Sequence, residues 1–526
     1  MKKQFAFFIL LSFIILGTFL RFNGIFWGYP YVLHADEGAI VNRAISMVEK
    51  GTFEAPGYET PGNIIKKISS IAFKAFSSLR YKTSFFSPEI NSKNRAIYHV
   101  ITRCISALFG SLTILLVYYI GRFRSEILGI IMAGLFAFFP IFVKHSHYGV
   151  PDITLTFFVC LVMLFGLKYT RHNTYFNVGL MSIALALGTV EKYPSLFSFG
   201  MVALVIVVYN YKKIKILIKQ SIFSIFVYIL TMFLISPNLF LNFNDVYARI
   251  LIENRSTHLG ADGLSWGGNL LYYIQTFTNY GGVILSFFGV FGLIFLLIIK
   301  REKQNIVFSC GFIYWFLLSS RGLHWERWGM PMYAAFLFVT AFGIYYLIIH
   351  KMTLLRRFLL YICIVLSFTN LFLSSAKESI YFNATDTRVK SIEYTNNKGI
   401  NKENTIYDGY TPLILNGPAT LTNKLIIEDG KLYIRDVGKH FAIESSSMFD
   451  RYYREPIRYE DIVNKYNALH KEGELIATYS PISLNRSKYE IKNIIYCISE
   501  IYRLSNNGLV GPKINFYDIR NIKSLK

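Results

Sequence analysis

The sequence predicts an α-helical, multi-pass membrane protein carrying a small mixed α/β domain outside the membrane. Three observations predict it. Hydrophobic residues form 53% of the 526-residue chain and aromatic residues 17%. They gather in runs such as 5–20, 196–208 and 283–299, near the roughly 20 residues, at about 1.5 Å each, that a helix needs to cross the hydrocarbon core. Finally, the net charge of +23 is concentrated in short clusters between these runs, where it marks orientation.

About eleven spans are expected, near 5–20, 97–120, 126–143, 152–170, 175–190, 194–211, 220–237, 279–299, 304–320, 329–349 and 356–375. Lys2 and Lys3 ahead of the first run resemble a signal peptide. No small-x-small cleavage site follows, and Arg21-Phe22 comes directly after, so an uncleaved first span is expected. The basic clusters are Lys2-Lys3, Arg122 with Arg124, Lys168 with Arg171, Lys212 to Lys219, Lys300 to Lys303, and Lys351 with Arg356-Arg357. Short loops rich in Lys and Arg stay in the cytoplasm. With a cytoplasmic N-terminus every cluster falls in a cytoplasmic loop, and the C-terminus lies outside. A charge distributed in this way orients the chain and argues against nucleic acid as a partner. Four of the five cysteines, Cys104, Cys160, Cys310 and Cys363, lie within apolar runs. Only Cys497 is in the polar part. No CxxC or Cys/His spacing occurs, so packing is the expected role.

The external connections are uneven. The first, about 21–95, is far longer than an ordinary loop, and its stretches 39–50 and 64–76 have helical periodicity that suits amphipathic helices at the interface. A second long loop covers about 238–278. Residues 1–376 form the transmembrane domain. Beyond them 377–526 turn polar, with strand patterns at 424–427, 431–434 and 474–479 and a helical one at 457–472.

Five external clusters hold ionisable residues at the membrane boundary. They are His34-Ala35-Asp36-Glu37; His145-Ser146-His147 with Pro151-Asp152; Glu191-Lys192-Tyr193-Pro194; Glu253-Asn254-Arg255 with His258; and Arg321 to Trp328. At that depth charged groups are costly, and function is the default reading. Each also has a structural reading. Asp36 and Asp152 suit helix N-termini, and Lys192 and Arg327 suit snorkelling. His145, His147 and Asp152 have the donor chemistry of a divalent metal site without tight spacing, so no cofactor is certain and a metal ion stays open. As a set the groups are coherent. A carboxylate suits a general base acting on a hydroxyl. Lys and Arg suit a departing phosphate, and aromatic groups such as Trp325 suit sugar or lipid.

The Asp-Glu pair after the first span, the Pro-Asp opening the fourth, the Lys-Tyr after the fifth and Arg327-Trp328-Gly329-Met330-Pro331 resemble the GT-C glycosyltransferases. The nearest group holds the protein mannosyltransferases and the lipid A aminoarabinose transferases. The resemblance covers about 1–376. It implies a GT-C bundle with juxtamembrane helices over an external cavity, and inverting transfer from a polyprenyl-phosphate sugar. The acceptor class left open is lipid A, a cell-wall glycan or protein. It further implies Asp36 as base or acceptor-orienting group, Glu37 as its support and Asp152 as a second acid. Lys192 and Arg327, with Arg255 and Lys66, would hold the donor phosphate. Tyr193, His147 and Trp325 would contact substrate. The expected location is the cytoplasmic (inner) membrane, among membrane lipids. The rival readings are a surface-polysaccharide polymerase or ligase and a lipid or sugar transporter.

Overall fold

The computed structural model describes residues 3–525 other than 55, 86–89, 91–94, 300, 301, 413, 414 and 416. Lys2, Lys300 and Arg301 of the basic clusters thus lie outside the described residues. The chain divides into two compact units. The first holds Met1–Ser256, Gly263–Phe382 and Asn485–Ile498; the second holds Thr257–Asp262, Asn383–Leu484 and Ser499–Lys526.

The first unit is helical. It runs through α1 (Lys3–Phe22), α2 (Glu37–Glu49), α3 (Asn63–Tyr81), α4 (Ala96–Arg122), α5 (Glu126–Phe138), α6 (Pro140–Ser146), α7 (Asp152–Arg171) and α8 (Tyr175–Glu191). A 3₁₀ turn, Tyr193–Ser198, leads into α9 (Phe199–Asn210), followed by α10 (Ile214–Ile235), α11 (Asn238–Leu241) and α12 (Phe243–Glu253). Then come α13 (Trp266–Gly281), α14 (Val283–Ile294), α15 (Ser309–Ser319), α16 (Met330–Ile349) and α17 (Leu354–Tyr381). Each apolar stretch picked out by sequence is helical over most of its length. Among the described residues, 7 helices are long and apolar enough to cross a membrane, or up to 8 when the bent pair α5–α6 is one span. Two further apolar helices, Tyr175–Glu191 and Val283–Ile298, are shorter. The long first connection carries α2 and α3, as its periodicity predicts.

Burial sorts the bundle. α16 has 72% of its apolar window buried and is central, whereas α10 has 11% and presents its side chains outward. Side chains that face lipid need no polar partner, but backbone groups do. The α5–α6 break illustrates this. Pro140 cannot donate to the preceding turn, and the helix bends by 56° at Phe139. The carbonyls released there are taken up by other groups. Buried Arg21 donates to Ala137 O at 2.9 Å and Phe136 O at 3.1 Å, and Ser375 Oγ donates to Phe138 O at 2.7 Å.

α14 and α16 cross at glycine. A Cβ on Gly343 would meet Phe288 O at 2.2 Å, and one on Gly292 would meet Val339 O at 2.0 Å. Small residues let membrane helices approach this closely. Gly343→Val is therefore expected to lower the melting temperature of the detergent-solubilised protein by several degrees, about 1–3 kcal/mol for an overpacked contact. An unchanged melting curve would contradict this packing.

The second unit contains α18 (Thr387–Asn397), β1 (Thr405–Tyr407), α19 (Leu421–Lys424), β2 (Leu425–Glu428), β3 (Lys431–Ile434) and β4 (Phe441–Ser445). It continues with α20 (Ser446–Tyr453), α21 (Glu460–Glu472), β5 (Glu474–Tyr479), the end of α22 (Glu490–Ser505) and β6 (Ile514–Asp518). The four-stranded sheet has the order β1-β4-β6-β5, with β1 parallel to β4 and the other pairs antiparallel. β2 and β3 form a hairpin whose turn, Asp429-Gly430, has φ of 51° and 71°, the positive pair that Asp-Gly turns adopt readily.

Candidate active site

Asp36 and Glu37 are neighbours with opposite fates. Asp36 is the residue before α2, and its side chain makes no capping bond there. Its carboxylate stays 53% exposed and accepts a hydrogen bond from Arg327 at 2.9 Å. Glu37, one residue on, starts the helix and turns inward. It is fully buried and accepts from Arg103 Nε at 2.9 Å, Arg103 Nη2 at 2.8 Å and the Gly149 N–H at 2.8 Å. His99 Nδ1 stands 3.5 Å away. Burial alone would push this carboxyl up, but Arg103, His99 and His34 outweigh it and hold it at about 2. Arg103 also donates to the carbonyls of Trp27 and Ile25. Glu37 thus ties α2 to α4 and to the loop before α7, and it fixes where Asp36 points.

Arg103 and His99 were not among the residues singled out from sequence. The signal existed: an arginine within an apolar span needs a partner, and the acid placed outside the span at Glu37 is that partner.

The second pair lies on α7 and at the end of α8. Asp152 is the first residue of α7 and is buried, and Lys192 donates to its Oδ1 at 2.6 Å. Lys192 lies 6.0 Å from the centroid of the Trp328 ring, and Arg327 lies 5.6 Å from that of Trp325. The two pairs adjoin, because Lys192, which is paired with Asp152, stands beside Trp328, the residue after Arg327, which is paired with Asp36. Among the described residues Arg327 Nε is a buried donor with no hydrogen-bond partner, so the guanidinium keeps donor capacity beyond Asp36. His34 packs against Tyr148 at 4.3 Å between ring centroids, and Tyr148 faces His145 at 5.7 Å. The structure therefore brings Asp36, Asp152, Lys192, Arg327, Trp325 and Trp328 together from four separate stretches of chain.

Other expected residues are placed differently. Lys66 is fully buried, and its ammonium faces Gly57 O, Thr60 O, Thr60 Oγ1 and Asn63 Oδ1 at 3.0–3.2 Å. Burial, with Arg43 nearby, lowers it to about 7. It anchors the loop entering α3. Tyr193 donates from its hydroxyl to Glu59 O at 2.8 Å. Glu191 accepts from the Ile64 and Ile65 N–H groups at 2.8 and 3.1 Å, capping α3 from another helix. Arg255 is exposed after α12. His147 is buried, with its two ring nitrogens 2.8 Å from Val143 O and Asn23 O. Its ring atoms serve the backbone there, and among the described residues no three His, Cys, Asp or Glu side chains gather to hold a metal ion. His145, His147 and Asp152 do not form such a group.

A family model described as dolichyl-phosphate-mannose-protein mannosyltransferase matches residues 80–252, the stretch with Asp152 and Lys192. Among solved structures, archaeal oligosaccharyltransferase AglB from Archaeoglobus fulgidus, in complex with an inhibitory peptide and a dolichol-phosphate, is similar at 12% identity. The similarity covers 93% of this chain and 75% of that one, with a TM-score of 0.54. ArnT from Cupriavidus metallidurans bound to undecaprenyl phosphate is similar at 10% identity, covering 86% of this chain and 95% of that one, with a TM-score of 0.49. No curated protein sequence matches the chain. The chain has the fold of the GT-C glycosyltransferases, the class its motifs resemble. Residues 80–252 carry the mannosyltransferase sequence pattern.

Proposed function

We propose that this chain is a membrane glycosyltransferase that moves a sugar from a polyprenyl-phosphate donor to an acceptor, with inversion at the anomeric carbon. The observation that carries the reading is that two carboxylate–cation pairs, Asp36–Arg327 and Asp152–Lys192, adjoin. The reaction needs a base for the acceptor hydroxyl and positive charge for the leaving phosphate. Asp36, the exposed acid, takes the proton as the acceptor oxygen attacks the anomeric carbon. The bond from that carbon to the phosphate oxygen breaks, and the phosphate leaves with the electron pair. Arg327 and Lys192 stabilise the charge it gains. Asp152 positions Lys192, and Glu37 positions Asp36 by fixing the start of α2. Trp325 and Trp328 flank the cations and offer apolar faces to the sugar.

The acceptor is a glycan, a lipid A-like lipid or a protein. The eleven apolar stretches and their basic loops support a multi-pass protein of the cytoplasmic membrane with its N-terminus inside. The site and the 377–526 domain then face outward.

Arg327→Ala is expected to lower kcat/KM for the lipid-linked donor by about 10²–10³-fold, as for loss of one preorganised donor to a developing oxyanion. Inhibition by free polyprenyl phosphate is expected to weaken in parallel. Unchanged product inhibition would remove Arg327 from the phosphate site.

A further inference from the structure

The first unit takes in one stretch from far beyond the last apolar run, Asn485–Ile498, and with it the opening half of α22. One side of this stretch is bonded to apolar helices of the bundle. The Val283 N–H donates to Lys488 O at 2.9 Å, and Glu490 accepts from the Ile284 N–H at 2.6 Å, so two first-turn donors of α14 find their acceptors here. Asn493 donates to Asn370 Oδ1 at 2.8 Å and to Ser374 Oγ at 2.9 Å, both on α17. Lys377, also on α17, donates to Asn485 O at 3.0 Å.

These bonds set the depth of α22. α17 is long and apolar enough to cross a membrane, and Asn370 and Ser374 fall inside its apolar run, ahead of Lys377 and Glu378. The opening half of α22 therefore lies beside the end of a spanning segment. Its other side carries Ile491, Ile495 and Ile498, spaced four and three residues apart and so on one stripe of the helix. They are 63%, 60% and 56% exposed, and a contiguous apolar stripe left open marks a surface with a partner.

Two observations say which partner. The helices that α22 is bonded to also expose large apolar side chains, Phe287 and Val290 on α14 and Val365 on α17, as lipid-facing helices do. Next to the isoleucine stripe stands a basic and aromatic one. Lys492 Nζ lies 5.6 Å from the Tyr496 ring centroid, and Lys488 Nζ lies 5.5 Å from that of Tyr489. Lysine and tyrosine suit the headgroup level, and lysine suits anionic lipid. We infer that the opening half of α22 lies in the membrane interface, with Ile491, Ile495 and Ile498 among phospholipid acyl chains and Lys488 and Lys492 at the headgroups. The leaflet is the one where α14 begins and α17 ends. Insertion depends on the packing of the first unit alone and not on the reaction it carries out.

The test uses the full chain with Ile495→Trp, in nanodiscs of a phosphatidylcholine–phosphatidylglycerol mixture and of the same mixture with brominated acyl chains. Emission of the five native tryptophans is removed by subtracting wild type. The added tryptophan is expected to emit at short wavelength, to lose most of its intensity in the brominated lipid, and to be little affected by aqueous iodide. Ile498→Trp carries the same expectation should the first variant fold poorly. Emission that iodide quenches and bromine does not would place the stripe in water and overturn the inference. Emission that neither quenches would place it against protein, a second copy or another chain, and overturn it equally.

Discussion

Asp36→Asn is expected to abolish sugar transfer while the protein still folds and enters the membrane. The loss expected is about 10²–10⁴-fold, the usual contribution of a general base. Asp36 is half exposed, caps nothing with its side chain, and meets Arg327 through one oxygen. Asparagine keeps the shape and can still accept from Arg327 through its amide oxygen, so the fold has little to lose. It cannot take a proton from an acceptor hydroxyl. Transfer assays on purified variant and wild type, matched for folding by size-exclusion profile and melting temperature, check this.

The second large effect is on stability and falls on the next residue. Glu37→Ala leaves the Arg103 guanidinium buried without its carboxylate, and removing one partner of a buried ion pair costs about 3–5 kcal/mol. A melting curve in detergent is expected to shift down strongly or to vanish. Asp36→Asn is expected to leave it nearly in place. Acid should reproduce part of the effect. Burial by itself raises the Glu37 carboxyl, but Arg103 holds it at about 2 in the folded chain, below the usual value near 4.3 for an unfolded glutamate. The folded value is the depressed one, so the stabilisation is fully present above about pH 5 and fades as pH falls toward 2. A pH–stability profile of Glu37→Gln that falls as steeply as wild type between pH 5 and 3 would remove Glu37 as the cause.

Much of the fold was legible because its signals are one-dimensional. Apolar runs, the basic loops between them, the amphipathic stretches that became α2 and α3, and the strand patterns that became β2 and β3 are all local. The site was legible only in part. Asp36, Asp152, Lys192 and Arg327 stood out as charges at membrane boundaries, and the fold gathers them. Their pairing was not readable, since Asp36 meets a partner 291 residues away. Nor was the means by which Glu37 supports Asp36, its burial against Arg103 of α4, which depends on which residue begins the helix. Lys66 shows the reverse difficulty. An exposed cation and a buried one bonded to loop carbonyls look alike in sequence, and only the fold of residues 57–63 separates them. The placement of Asn485–Ile498 was hidden for another reason: the stretch sits in polar sequence far beyond the last apolar run, yet it packs into the first unit.

The most direct test of the central claim is the fate of the lipid-linked sugar. Purified protein in nanodiscs is incubated with radiolabelled polyprenyl-phosphate monosaccharides, dolichyl-phosphate mannose among them, and an envelope fraction as acceptor. The product is analysed for its glycosidic linkage. Loss of label from the lipid and a new glycosidic bond of inverted anomeric configuration are expected, both absent with Asp36→Asn. Label that stays on every lipid tried, or that Asp36→Asn transfers as fast as wild type, would contradict it.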